Sequence, residues 1–413
     1  MTAFTYIFLA ALALSVLLQV WLATRNIRHV GEHRDQVPPP FNEKISLQAH
    51  QRAADYTVAR SRLGRLDTVY EALILLAWTL GGGLQWLDGL WRGLDLGPIA
   101  TGVGFMVSVL LIASVLELPF SIYRTFVIEQ RFGFNRITPG LYVADAIKSA
   151  ALMIIIGAPL MALALWLMSI TGPRWWLYVW GLWLGFTLLM MWAYPTWIAP
   201  LFNRFEPLTD TALRERVEKL LQRCGFKSSG VFVMDGSKRS AHGNAFFGGV
   251  GSNKRIVFFD TLIKQLDGEE IEAVLAHELG HFRLHHIRKR IVGLAVASLL
   301  GLALLAWLMV QPWFYTSLGL TTPSNYMALM LFMLLAPVFS FLLTPLLSWL
   351  SRRHEFQADA FAAQQSNAGT LARALVKLYR ENASTLTPDP LYSQFFDSHP
   401  PAPIRVRHLL GGT

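Results

Sequence analysis

The chain has 413 residues, 53% of them hydrophobic and only 15% charged, with a formal net charge of +9. A soluble domain carries about 25% charged residues, so this composition excludes an ordinary globular protein. The positive charge sits in alternate loops, which argues against a nucleic-acid surface and for the inner face of a membrane.

Seven apolar runs approach the length of about 20 residues that crosses a bilayer: Phe4–Ala23, Val69–Leu87, Ile99–Phe120, Val143–Ile170, Trp175–Ala199, Ile291–Val310 and Tyr326–Leu350. The first has no Lys or Arg before Arg25 and is longer than a signal-peptide core of about 7–15 residues, so it reads as a retained span. Eight basic residues follow it between Arg25 and Arg65, three lie from Arg124 to Arg136, fifteen from Arg204 to Arg290 and seven from Arg352 onward. The intervening loops hold only Arg92 and Arg174. This alternation predicts an external N-terminus and a cytoplasmic C-terminus, with both large polar segments in the cytoplasm.

Along the chain, residues 1–200 read as five spans with their loops, 201–290 as a catalytic lobe, 291–350 as spans six and seven, and 351–413 as a C-terminal catalytic segment. The first cytoplasmic loop carries Pro38-Pro39-Pro40, a stiff extended stretch, and then a helix from Ser46 to Arg65. The lobe predicts a helix over Thr209–Cys224, short strands at Val231–Asp235 and Arg255–Asp260, and a glycine-rich segment Gly236–Lys254 between them. Within that segment Gly243–Phe246 is expected to form an extended edge beside the cleft. The lone Cys224 excludes an intramolecular disulfide and a Cys-based metal cluster and reads as a packed helix residue. Ser351–Asn382 is helical in pattern, and Ser398–Arg405 reads as irregular.

The densest chemistry is "HELGH", His277 to His281, on a helix that begins near Asp267. Residues i and i+4 share one helix face, so both imidazoles can converge on one ion with Glu278 beside them. Zinc favours nitrogen ligands in a tetrahedral site that leaves one position open to water. A third ligand is required. Leu284 and Ile287 stand where a metzincin needs glycine and histidine, so that route fails. "RRHEFQADAFA" instead offers Glu355 as ligand, with Asp359 one turn on to orient a ligating histidine. Glu278 is the candidate general base. His285 and His286, among Arg283, Arg288, Lys289 and Arg290, read as decoration of the membrane interface. Glu71, Glu117, Asp145 and Lys148 lie within or near span ends; Glu117 is the candidate to line a wet cavity, whereas Asp145 and Lys148 equally suit snorkelling to the interface.

"SKRSAHGNAFFGG", "NKRIVFFDTLI", "HELGH", "EFQADAFA" and "SHPPAPIR", in that order, resemble the type I CAAX prenyl proteases, integral-membrane zinc endopeptidases. The resemblance covers nearly the whole chain. It implies a mainly α-helical polytopic fold in which seven transmembrane helices enclose a chamber. A small α+β, gluzincin-like zinc protease lobe would lie on the cytoplasmic side, in a bacterial inner membrane or the endoplasmic reticulum. It implies one Zn2+ per chain on His277, His281 and Glu355, with Glu278 as base. It also implies that Asn244, His399 and Arg405 lie near the scissile carbonyl; alone, Asn244 reads as a turn residue and His399 as a pre-proline loop residue. The expected partners are a peptide or protein substrate, prenylated or membrane-associated, and the lipid bilayer. A quality-control protease of the same chemistry is the alternative. A metal-binding transporter would leave Glu355 and His399 unexplained, and an inactive scaffold fits poorly because every catalytic position is filled.

Overall fold

The computed structural model describes residues 2–39, 41–248 and 255–411. Pro40 of the triple-proline stretch and residues 249–254 of the glycine-rich segment lie outside the described residues. Six helical stretches are long and apolar enough to cross a bilayer: Ala3–Glu32, Pro98–Glu129, Pro139–Ile170, Gly172–Leu201, His286–Leu308 and Asn325–Gln365. A seventh is a pair, Leu47–Trp78 and Gly83–Arg92, bent by 48°. The span expected at Val69–Leu87 is therefore broken, and the helix expected at Ser46–Arg65 runs into its first half without interruption. Gly81-Gly82-Gly83 explains the break, since Gly82 takes φ +79°, a conformation that costs other residues more.

In chain order the helices are α1 (Ala3–Glu32), α2 (Leu47–Trp78), α3 (Gly83–Arg92), α4 (Pro98–Tyr123), α5 (Pro139–Leu152), α6 (Ala158–Ile170) and α7 (Trp175–Ala193). A π-helical stretch, Arg124–Glu129, extends α4 toward the polar lobe. The apolar core among the spans is built on Phe105, Phe314, Met327 and Leu331, all fully buried. Leu17, Ile155 and Leu300 point outward and stay exposed, as lipid-facing side chains do when no water has to be avoided.

The polar lobe contains α8 (Thr211–Arg223), a four-stranded sheet, α9 (Asp260–Gln265) and α10 (Gly268–Arg283). Its strands are β1 (Phe205–Pro207), β2 (Val231–Met234), β3 (Ala245–Gly248) and β4 (Arg255–Phe259), in the order β1-β2-β4-β3. β2 and β4 run parallel and the other pairs antiparallel, and β3, last in the order, is an edge among the described residues. The strands expected at 231–235 and 255–260 are present, each one residue shorter. The extended edge lies two residues later than expected, and β1 was not foreseen because it is three residues long and ends in proline. Val217, Leu220, Ile256, Phe258, Leu262 and Leu275 form the lobe's buried core.

The chain then continues through α11 (His286–Leu308), α12 (Pro312–Thr316), α13 (Asn325–Ser340), α14 (Thr344–Gln365), α15 (Ala368–Glu381), α16 (Pro390–Phe396) and α17 (Ala402–Leu409). Residue 350 lies inside α14, so the last span and the helix of the third candidate ligand are one continuous piece. The terminal segment expected to be irregular contains α17 instead. Pro401 caps it, Pro403 falls in the first turn where its missing N–H costs nothing, and Ala402 and Val406 are buried beneath it.

Candidate metal centre

α10 starts where the sequence places it. The Asp267 side chain accepts from the N–H groups of Glu269 and Glu270, and Glu270 reaches back to the Asp267 N–H, completing a capping box. Lys377 of α15 holds Glu270 at 2.6 Å, which ties the helix start to the C-terminal segment. Near its other end, α10 packs against α14 at Gly280. A Cβ there would stand 3.1 Å from the Ala358 Cα and 3.2 Å from its carbonyl oxygen, both backbone atoms with little freedom to move. Glycine in "HELGH" is thus the residue that lets two helix backbones approach closely enough for their side chains to meet.

Those side chains are His277 and His281 from α10 and Glu355 from α14, and their donor atoms cluster within 4.8 Å. The two Nε2 atoms are 3.3 Å apart. Glu355 spreads its carboxylate across the pair, with Oε2 3.4 Å from His277 Nε2 and Oε1 3.3 Å from His281 Nε2. Ligands about 2.0–2.1 Å from a shared tetrahedral ion stand about 3.3–3.4 Å from one another. Glu355 is 4% exposed, and its buried Oε2 makes no hydrogen bond among the described residues. Three donor atoms gathered in this way, one of them an orphaned buried carboxylate oxygen, fit a bound cation.

The far side of each imidazole is occupied. His277 Nδ1 donates to Asp359 at 2.8 Å, which leaves Nε2 as the nitrogen that faces the centre. Burial would push the His277 imidazole down, but bonds to Asp359 and Glu355 outweigh it and raise it to about 9, so a cation bound at Nε2 would have to displace a proton. Asp359 is fully buried and accepts two bonds from Arg405, at 2.6 and 2.9 Å. His281 Nδ1 meets His286 Nδ1 at 3.1 Å, and His286 Nε2 meets Gln357 Oε1 at 2.9 Å. Since an amide oxygen only accepts, His286 protonated at Nε2 presents an acceptor to the His281 Nδ1–H, and the His281 Nε2 lone pair also faces the centre.

His286 corrects the sequence reading. It is buried and stacked on His354 at 4.0 Å, whereas His285 is exposed and holds the left-handed conformation, φ +59°, that swings the next residue back toward His281. A fourth histidine, five residues after the second, was the available signal. Arg405 is 5% exposed and lies behind His277, its guanidinium bonded to Asp359 with Nη1 3.7 Å from Glu355 Oε2. Gln357 carried no sequence signal at all.

Glu278 is largely buried and makes no hydrogen bond among the described residues, and burial pushes its carboxyl up. His399 puts Nε2 3.4 Å from Glu355 Oε1 while remaining mostly exposed. Asn244 is exposed just before β3, with its Oδ1 accepting from the Ala245 N–H at 2.8 Å. Phe259 N–H donates to the Asn244 carbonyl, which makes Asn244 and Phe246 the residues bonded to β4. By the alternation of an antiparallel ladder, Ala245 and Phe247 turn their backbone groups to the open edge. Phe247 packs 5.2 Å from Phe282, next to His281, so the edge runs beside the histidine helix.

The other candidates lie apart. Asp145 accepts two bonds from Arg239, at 2.8 and 3.0 Å, tying α5 to the lobe rather than snorkelling, and Lys148 donates to the Leu201 carbonyl. Glu71 and Glu117 are exposed and do not line the cavity of about 660 Å³ that opens beside His399. Cys224 caps α8, partly buried against Gln365.

Two family models match the chain: "CAAX prenyl protease N-terminal, five membrane helices" over residues 26–204, and "Peptidase family M48" over residues 207–412. A CAAX prenyl protease 1 homolog of Oryza sativa subsp. japonica is 35% identical, covering 97% of this chain and 96% of its own. The Homo sapiens homolog is 31% identical over 98% and 95%. The crystal structure of S. mikatae Ste24p superposes with a TM-score of 0.93 at 30% identity, covering 99% of both chains.

Proposed function

The chain belongs to peptidase family M48, among the CAAX prenyl proteases, and from that membership we propose that this multi-pass membrane metalloprotease is a zinc endopeptidase that acts at the cytoplasmic face on the C-terminal region of prenylated proteins. The observation that carries the reading is the 3.3–3.4 Å spacing of His277 Nε2, His281 Nε2 and the Glu355 carboxylate oxygens, beside a Glu278 that makes no hydrogen bond among the described residues. These three residues would hold the metal, which when bound supplies the positive charge that acidifies water and polarises a carbonyl.

This chain's own residues do the rest. Glu278 receives the proton of the attacking water and returns it to the leaving amine, a role that its raised carboxyl suits. His277 and His281 are held in the ligating tautomer by Asp359 with Arg405 and by His286 with Gln357. The open edge of β3 pairs with substrate main chain, which fixes one peptide bond without reading side chains. His399 and the Asn244 amide, both exposed, would supply hydrogen bonds as charge develops on the carbonyl oxygen. The test is direct. The protein is purified in detergent, its zinc measured, and prenylated and unprenylated forms of one peptide are offered. About one zinc per chain and preferential cleavage of the prenylated form support the reading; equal cleavage favours quality-control proteolysis.

A further inference from the structure

Building on that reading, we propose that the cavity beside His399 is a binding site for the substrate's free C-terminal carboxylate, with Arg60 as its cation. The cavity, of about 660 Å³, is lined by His399, Asn382, Tyr56, Tyr379, Arg60 and Arg124 among others. It touches the catalytic centre at one end, where His399 Nε2 is 3.4 Å from Glu355 Oε1. It also touches the start of the edge strand. Asn382 clamps Gly243 through both polar atoms of its amide, accepting from the Gly243 N–H at 3.0 Å and donating to its carbonyl at 3.3 Å. Tyr56 Oη is 3.4 Å from His242 Nε2.

Strand direction then decides which half of a substrate enters. A chain antiparallel to β3 runs from the Phe247 end, beside Phe282, toward Asn244 and Gly243. Residues C-terminal to the scissile bond therefore head for Asn382 and Tyr56, that is, for the cavity. Arg60 lies one helical turn beyond Tyr56 on α2, about 6 Å along the axis. Three extended residues reach about 10 Å, so a short tail brings its terminal carboxylate to Arg60.

The charge balance of the wall suits an anion. Arg60 and Arg124 are its cations and Asp397 its one carboxyl among the described residues. Arg124 is already paired with Asp67 at 3.1 Å. Arg60 forms no ion pair among the described residues; it lies 5.4 Å over the Tyr56 ring, interacts with that residue's hydroxyl and feels the Glu129 carboxylate only at longer range, so it is oriented but not neutralised by a contact. Burial pushes the Asp397 carboxyl up. A planar guanidinium can take a carboxylate by two parallel hydrogen bonds, and the nearby hydroxyls of Thr57, Ser61 and Ser384 offer further donors.

The experiment uses the zinc-loaded protein in detergent and one prenylated peptide in three forms: C-terminal acid, C-terminal amide, and the acid extended by five residues. A charge-assisted pair of this kind is worth roughly ten- to hundredfold. The acid should exceed the amide and the extended form by at least about tenfold in kcat/KM, mainly through KM. Arg60→Gln should remove most of that preference and Arg60→Lys should retain part of it. Equal cleavage of acid and amide by the unmodified protein overturns the carboxylate site while leaving the protease reading intact, as does an Arg60→Gln variant that keeps the full preference. Failure to cleave any form overturns the protease reading and the site with it.

Discussion

Glu278 and Glu355 are one helix contact apart and chemically identical, yet their surroundings divide the work between them. Glu355 meets both imidazole Nε2 atoms, whereas Glu278 makes no hydrogen bond among the described residues and burial pushes its carboxyl up. Glu278→Gln should accordingly leave zinc content near one per chain while lowering turnover by about 10²–10⁴, as metal analysis and kcat on the same sample would report. A variant that turns over normally would remove Glu278 from the mechanism. His286→Phe preserves the bulk stacked on His354 but cannot accept from His281. Loss of such an outer partner weakens metal binding by about 10–100-fold, measurable by competition with a chelating dye, whereas unchanged affinity would make the His281–His286 contact incidental. Among these residues the first ligands and base were legible because i, i+4 spacing is a local property. His286 and Gln357 were not, because their meaning depends on a left-handed residue at 285 and on which face α14 turns toward α10.

Gly280 and the β3 edge carry the elements. Valine at position 280 would drive branched methyls into the Ala358 backbone, and α10 and α14 would have to separate to admit it. Overpacking of this kind costs about 1–3 kcal/mol, and the separation also spreads the three donors. Gly280→Val should therefore lose zinc affinity and thermal stability together, read by zinc titration and a melting curve; unchanged values in both would show that the helices have room. Ala245→Pro removes an edge N–H that donates to Asn244 Oδ1 and to no residue of β4, so the sheet itself loses no bond. It should depress peptide cleavage at least about tenfold with zinc retained, and normal cleavage would mean substrate does not pair with this edge. At this scale the sequence was uneven. The strands at 231 and 255 announced themselves by β-branched and aromatic runs, and the capping box of α10 by Asp267 and Glu270. The break in the second span was written in Gly81-Gly82-Gly83, a breaker signal outweighed by the apolar run around it. β1 and α17 depend on tertiary partners: β1 on the edge of β2, α17 on the buried patch that receives Val406.

For the whole molecule, hydrophobic length and loop charge were sufficient to predict a polytopic chain, because a bilayer imposes the same two conditions on every span. The same charges predict that the lobe faces the cytoplasm. Cysteine at Lys219, an exposed position on α8, in a Cys224→Ala background should react with an impermeant thiol reagent in inverted vesicles and stay protected in right-side-out ones; the opposite pattern would reverse the topology. What neither length nor charge could supply is how α1, α2 and the α15–α16 loop close a cavity against His399, since those contacts join residues hundreds of positions apart. The central claim is that one ion is shared by α10 and α14. Anomalous diffraction at the zinc edge tests it most directly. A single peak is expected about 2.0–2.2 Å from His277 Nε2, His281 Nε2 and a Glu355 oxygen; a peak elsewhere, or none in protein that cleaves peptide, would show that the two helices share no ion.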